Sequence, residues 1–257
     1  VDGDDFIDAA FLKHLLDASD RGASDLTVAG KLFCDRFPPD KIPALPTCGI
    51  FLRREFPLKN NLEFPEGIHP CEDGLFSHFV LALTEKISFC PEAVYHYRQH
   101  EQGNHHQIRK RTADILPMIP RWLSLIEEFY EQRHLWKRKA GHLVRFIEHE
   151  PFELRLLGMP FSPPEQEILY SIIRDFLTAH CTAAECRRAS LHLPFRLLLQ
   201  SSGFSDFGRR LRRAGKNTGI RRKLLHFCPV PSWRRNGRAQ LRQVREQLEE
   251  IRRNITF

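Results

Sequence analysis

"DAAFLKHLLDAS" (Asp8–Ser19) is followed shortly by "DLTVAGKLF" (Asp25–Phe33), and the contrast between the two decides the class of fold. In the first, apolar residues return every three or four positions, the spacing that gives a helix one apolar face. The second is a short apolar run bounded by turn-forming residues, as strands are. The same pair of signals recurs. "CGIFLRREF" (Cys48–Phe56) and "ISFCPEAVYHY" (Ile87–Tyr97) read as strands, and "DGLFSHFVLALTEK" (Asp73–Lys86) reads as a helix between them. Alternation of this kind predicts an α/β layer with a mixed sheet and flanking helices.

Beyond residue 110 the pattern becomes helical throughout. Candidate helices fall near 112–135, 137–149, 163–180, 183–200, 206–225 and 237–254, interrupted by "GMPFSPP" and "CPVPSW". The expected organisation is an α/β region over 1–110, then a mainly α-helical region over 111–257. No repeat at solenoid spacing and no low-complexity segment is visible.

With 257 residues and 42% hydrophobic content, the chain can bury a substantial core. It contains no run of eighteen apolar residues, and its start lacks the basic flank and apolar stretch of a signal peptide. A cytoplasmic location is the expectation. The seven cysteines include no C-x-x-C pair, and an odd total argues against a complete disulfide framework. They read mostly as buried thiols. Cys181 and Cys186, near His180, stand close together, but their spacing matches no zinc ligand set.

The formal charge of +7 is uneven: Ser201–Phe257 holds fifteen Lys and Arg against four Asp and Glu. "RRLRR" (Arg209–Arg213), "RRK" (Arg221–Lys223) and "WRR" (Trp233–Arg235) can meet phosphate groups of lipid or nucleic acid, or can simply be a solvated helix surface. Farther on, Leu241, Val244, Leu248, Ile251 and Ile255 form an apolar stripe among arginines. That stripe either packs on the helical region or lies on an anionic membrane.

Two acidic clusters carry the candidate chemistry. Asp2, Asp4 and Asp5 open the chain at what reads as a strand end. They either cap the helix that follows or hold a hard divalent cation, because Asp2 and Asp4 share one side of an extended segment. In "EFPEGIHPCEDGLFSHF" (Glu63–Phe79), Glu72 and Asp73 begin a helix, where the dipole and unpaired amides favour ionised carboxylates. With "YHYRQHEQGNHH" (Tyr95–His106), these clusters fall at the ends of strands or the starts of helices. Ligand sites of open α/β sheets gather there.

Taken in order, these stretches resemble a family 2 glycosyltransferase of the GT-A fold. The resemblance runs over roughly residues 1–106: the Asp-x-Asp-Asp segment, the strand "IFLRREF", the loop "NNLEFPEG", the Glu72–Asp73 helix start and the closing "YHYR". It implies an inverting, metal-dependent transfer of sugar from a nucleotide-sugar donor to a glycan or lipid-linked acceptor. The setting would be synthesis of bacterial surface polysaccharide or lipopolysaccharide, at the inner face of the membrane. By the same resemblance, Asp2 would face the nucleotide sugar or the metal. Asp4 would bind Mg²⁺ or Mn²⁺, supported by Asp5, with His96 or His100 completing the metal shell. Asp73 would be the catalytic base, Glu72 would orient acceptor or base, and Arg98 would pair with the diphosphate.

Such enzymes carry an upstream βαβ half that holds the nucleotide base, so the resemblance implies a fragment of impaired activity. The short "PPDKIPALP" connection (Pro38–Pro46) and Ile50, where the family pattern has Lys, depart from it. The alternative is a non-catalytic protein that docks its Arg-rich tail on nucleic acid or an anionic membrane, of which the membrane is the favoured partner.

Overall fold

The computed structural model describes residues 1, 3–98, 108, 111–190, 192–226 and 242, with side chains of 39 and 218–226 excepted. Asp2, His100 and the 237–254 helix expected from sequence therefore lie outside the described residues, Arg242 apart. The chain forms two compact units, Val1–His149 and Glu150–Phe257.

The first unit is mixed α/β. Its elements run β1 (Phe6–Ile7), α1 (Phe11–Gly22), β2 (Leu26–Ala29), α2 (Lys31–Arg36), β3 (Ile50–Leu52), α3 (Glu55–Asn60), α4 (Glu72–Leu83), β4 (Ile87–Cys90) and β5 (Tyr95–His96). Then come α5 (Thr112–Ile115), α6 (Met118–Gln132) and α7 (Ala140–Ile147). β2 is the middle strand of a three-stranded sheet ordered β3-β2-β4, parallel to β4 and antiparallel to β3. Every β2 side chain is buried, which is why its sequence reads as a continuous apolar run rather than an alternation. A second, two-stranded ribbon pairs β1 with β5, setting Phe6 opposite His96 and Ile7 opposite Tyr95.

α1 ends where Ala23 turns left-handed (φ 44°) and its N–H reaches back to Asp20 and Ser19 carbonyls. Its apolar face, Phe11, Leu15 and Ala18, packs with Ala29 and Cys90, which close β2 and β4, and with Ala93. Ile7, Phe51 and Tyr95 cover the edge of this core. The expected strand Asp25–Phe33 stops at Ala29, because Gly30 (φ 82°) leaves the extended region and starts α2. The run Cys48–Phe56 likewise divides into β3 and α3, and Ile87–Tyr97 into β4 and β5.

The composition shift near residue 110 marks where strands stop, whereas the first compact unit continues to His149. The reason is α4, which is buried almost all round. A helix with no polar face needs cover on every side. α6 and α7 supply part of it: Phe129 stacks on Phe79 with centroids 4.2 Å apart, and Tyr130, His142 and Phe146 surround His78.

A π-helical stretch, Glu148–Leu157, contains Pro151. The second unit then comprises α8 (Pro163–His180), α9 (Ala183–Ala189), α10 (Leu193–Gln200) and α11 (Phe204–His226). α8 matches its expected bounds. Ser162 and Glu165 form a capping box before it, with Pro163 in its first turn. The single helix expected over 183–200 is two, since Ser190 is extended and Pro194 opens α10. Phe152, Phe195 and Phe207 form an aromatic centre, and Tyr170 bonds Ser201 at 2.7 Å. Among the described residues, no helix is long and apolar enough to cross a membrane.

Candidate functional site

The acidic opening does not end a strand. Gly3 and Asp4 form a turn and Asp5 leads into β1, so the carboxylates precede the strand. The N-cap of α1 is Ala10, which makes no side-chain cap bond. Asp4 is exposed, and Asp5 is the buried member at 9% exposure. Pairing of β1 with β5 explains the burial. It brings Asp5 to Tyr95, whose hydroxyl donates to Oδ2 at 2.9 Å, and to Arg98, whose backbone N–H donates to Oδ1 at 2.9 Å. Both oxygens are thus occupied by groups ninety or more positions away in sequence.

Around this clasp, Phe6 stacks on His96 with centroids 4.2 Å apart, and the exposed Arg98 guanidinium lies 5.4 Å from the Phe6 ring centre. His96 Nε2 meets Asp8 Oδ1 at 2.7 Å. His96, one of the two imidazoles expected near a metal, is engaged with Asp8 through this nitrogen.

Asp73 lies in the first turn of α4, half-buried. Its Oδ2 accepts two bonds from Thr47, the backbone N–H at 3.2 Å and the hydroxyl at 2.9 Å. Neighbouring Glu72 meets His69 Nδ1 at 3.1 Å. Thr47 belongs to a short 3-10 turn, Thr47–Gly49, that runs into β3. It is held there by α4. His78 Nδ1 donates to the Pro43 carbonyl at 3.1 Å and Ser77 Oγ accepts from Leu45 N–H at 2.8 Å. Three successive grips therefore fix Pro43–Thr47 along α4, and the last is Asp73.

Connectivity attaches both clusters to one end of the sheet. β2 and β4 are parallel and finish at Ala29 and Cys90. Antiparallel β3 begins at that end, with Ile50 opposite Val28, so the Thr47–Asp73 bond lies just beyond it. β4 also exits there, through Ala93 in the core, into β5 and the Asp5 clasp.

The grip at His78 is part of a buried network. His78 is fully enclosed, and its Nε2 takes a 3.0 Å bond from Tyr130, since Nδ1 already donates to the Pro43 carbonyl. Tyr130 oxygen then accepts from His142 Nδ1 at 3.4 Å, and the two imidazoles stack 4.2 Å apart. Burial pushes the His78 pKa down to about 3, and burial lowers that of His142 well below its ordinary value, with Arg145 acting the same way on both. Both are neutral at physiological pH.

Sequence reasoning placed Asp73, Glu72, Asp5, Arg98 and His96 among candidates but missed Thr47 and the His78–Tyr130–His142 network. A Thr after a proline-rich connector carries no local signal of a partner 26 residues on. Among the described residues, which omit Asp2 and His100, no three His, Cys, Asp or Glu side chains form a group that could hold a metal. No protein-family model matches the chain, and no curated protein matches it.

Proposed function

We propose that the chain is part of an inverting glycosyltransferase with a GT-A-like sheet, moving a sugar from a nucleotide-sugar donor to a glycan or lipid-linked acceptor hydroxyl. The observation that carries the reading is the state of Asp73. Thr47 fixes Oδ2 with two bonds, while Oδ1 has no bonded partner among the described residues. A carboxylate oriented through one oxygen and open at the other is the arrangement a general base requires. Asp73 Oδ1 takes the proton of the acceptor hydroxyl as that oxygen bonds the anomeric carbon. The bond from that carbon to the diphosphate breaks, its electron pair leaves with the diphosphate, and configuration inverts.

The other cluster supports the donor side. Asp5, clasped by Tyr95 and Arg98, fixes the turn that carries exposed Asp4. Asp4 and Asp2 offer hard oxygen donors, the type that suits Mg²⁺ or Mn²⁺. His100 is the third candidate. When bound there, the ion neutralises charge on the departing diphosphate. Arg98, exposed beside Phe6, presents its forked donors to phosphate oxygens.

The test is transfer and donor binding measured together, using a panel of nucleotide sugars with Mn²⁺. Asp73→Asn keeps the shape and the acceptor oxygen for Thr47 but not the base, so transfer should fall about 10²–10⁴-fold with donor affinity unchanged. Asp4→Asn should weaken metal-dependent donor binding. Wild-type transfer in Asp73→Asn, or loss of donor binding with an unchanged chemical step, would overturn the assignment.

A second reading, a basic docking protein, has one observation in its favour. Arg209, Arg212, Arg213 and Lys216 are exposed along α11 while Phe207 and Leu211 face inward. Binding to duplex DNA with a steep salt dependence, in the absence of nucleotide-sugar binding, would favour it.

A further inference from the structure

Cys181 and Cys186 fit no metal pattern, yet their placement is specific. Thr182 is the N-cap of α9 and forms a full capping box with Glu185: Thr182 Oγ1 accepts from Glu185 N–H, and the Glu185 carboxylate accepts from Thr182 N–H at 2.8 Å. That box fixes the register of the flanking residues. Cys181 precedes the cap and Cys186 is the fourth helical residue, the two positions whose side chains meet in a hydrophobic staple. Here both staple residues are thiols, set side by side at the first turn of α9. Cys181 is half-buried and Cys186 is buried, with 6% exposed.

We propose that Cys181 and Cys186 are a reversible modification site: a dithiol that small peroxides oxidise to a disulfide across the first turn of α9. The chemistry runs through a thiolate, and the pairing favours that form at Cys186. The neighbouring Cys181 thiol lowers that of Cys186, while Cys186, together with burial, pushes Cys181 up. The Cys186 thiolate attacks one peroxide oxygen, the O–O bond breaks, hydroxide leaves and the sulfur becomes a sulfenic acid. The Cys181 sulfur then attacks that sulfur, the S–O bond breaks, and water departs with the thiol proton. Two thiols lose two electrons and two protons, and one hydrogen peroxide becomes two waters. Only a small oxidant can reach Cys186, entering beside half-exposed Cys181.

Other thiols provide an internal control. Cys34 and Cys90 are each pushed up, chiefly by burial. Cys34 donates to the Val28 carbonyl at 3.6 Å, and Cys90 faces the Glu92 carboxylate at 3.8 Å. Neither is held as a thiolate.

Trypsin releases both staple cysteines in one peptide, Asp175–Arg187. The folded chain is exposed to hydrogen peroxide, quenched with a maleimide and digested. That peptide should be lighter by two hydrogens and unalkylated, and should return to the doubly alkylated form after reduction, while Cys34 and Cys90 remain alkylated. In Cys181→Ser, a sulfenic acid trapped by dimedone should accumulate at Cys186. If the native peptide stays doubly alkylated, or passes to sulfinic acid without losing two hydrogens, the proposal fails.

Discussion

Tyr130→Phe removes a single oxygen atom from the interior of the first unit and should destabilise it by about 2–4 kcal/mol. The ring itself survives, with its contacts to His78, Phe129 and Trp136, so little cavity is created. The cost falls on two histidine nitrogens. His78 Nε2 loses a 3.0 Å donor in a site with no solvent access. His142 Nδ1 loses its 3.4 Å acceptor, and Nε2 of the same ring has no hydrogen-bond partner among the described residues. A buried polar group stripped of its bond costs about 1–3 kcal/mol, and the longer contact belongs at the lower end. Domains of ordinary stability have about 5–15 kcal/mol in total, so the change is easily measured. Urea unfolding at neutral pH, followed by fluorescence of Trp122 and Trp136, gives the difference in free energy. A loss below about 0.5 kcal/mol, the scale of a neutral surface change, would show that Tyr130 does not bridge the two imidazoles.

The same network predicts acid sensitivity. The folded His78 pKa of about 3 lies below the ordinary 6.5, so the unfolded chain binds more protons between those values. Stability is complete above pH 6.5 and falls as pH drops from 6.5 toward 3, by up to roughly 1.4 kcal/mol per unit for each histidine. His142 acts in the same direction. Urea midpoints measured from pH 7.5 to 4 should track this slope, and His78→Phe should flatten it; equal slopes would refute the cause. Thr47→Val keeps the backbone bond to Asp73 but removes the 2.9 Å hydroxyl bond. Transfer should drop about tenfold, the equivalent of roughly 1.4 kcal/mol, with donor affinity retained; an unchanged rate would release Thr47 from the positioning role. Deleting residues 237–257, which lie outside the described residues except Arg242, should release the chain from vesicles containing anionic lipid at moderate salt. Unchanged vesicle binding would remove that tail from any membrane contact.

The class of fold was legible because its signals are local. A period of three to four in Asp8–Ser19 and the apolar run at Leu26–Ala29 each act over a few residues. Strand ends were less so. Gly30 and the break after Leu52 depend on backbone geometry that β-branched composition does not encode. The end of the first compact unit was illegible for a different reason. The residues that hold α6 and α7 to α4, His78 with Tyr130 and Phe79 with Phe129, are ordinary amphipathic positions when read along the chain. Their meaning is tertiary.

The acidic clusters show the same division between local and distant information. "DGDDF" reads as a strand end, whereas the turn at Gly3–Asp4, and which carboxylate is buried, are not written there. The burial is decided by β5 and the residues just after it, where Tyr95 brings a hydroxyl to one oxygen and Arg98 a backbone N–H to the other. Asp5 is thereby spent on structure, while its neighbour Asp4, within the turn, is exposed. At α4 the division falls within a single side chain. Thr47 binds one oxygen of Asp73, and the proline-rich segment that delivers Thr47 is itself fixed by Ser77 and His78 on the next turn of the helix. Disturbing the buried histidines should therefore loosen Asp73 without touching it. Tyr130→Phe should lower transfer as well as stability, and a variant that lost stability while keeping the full transfer rate would separate the network from the site.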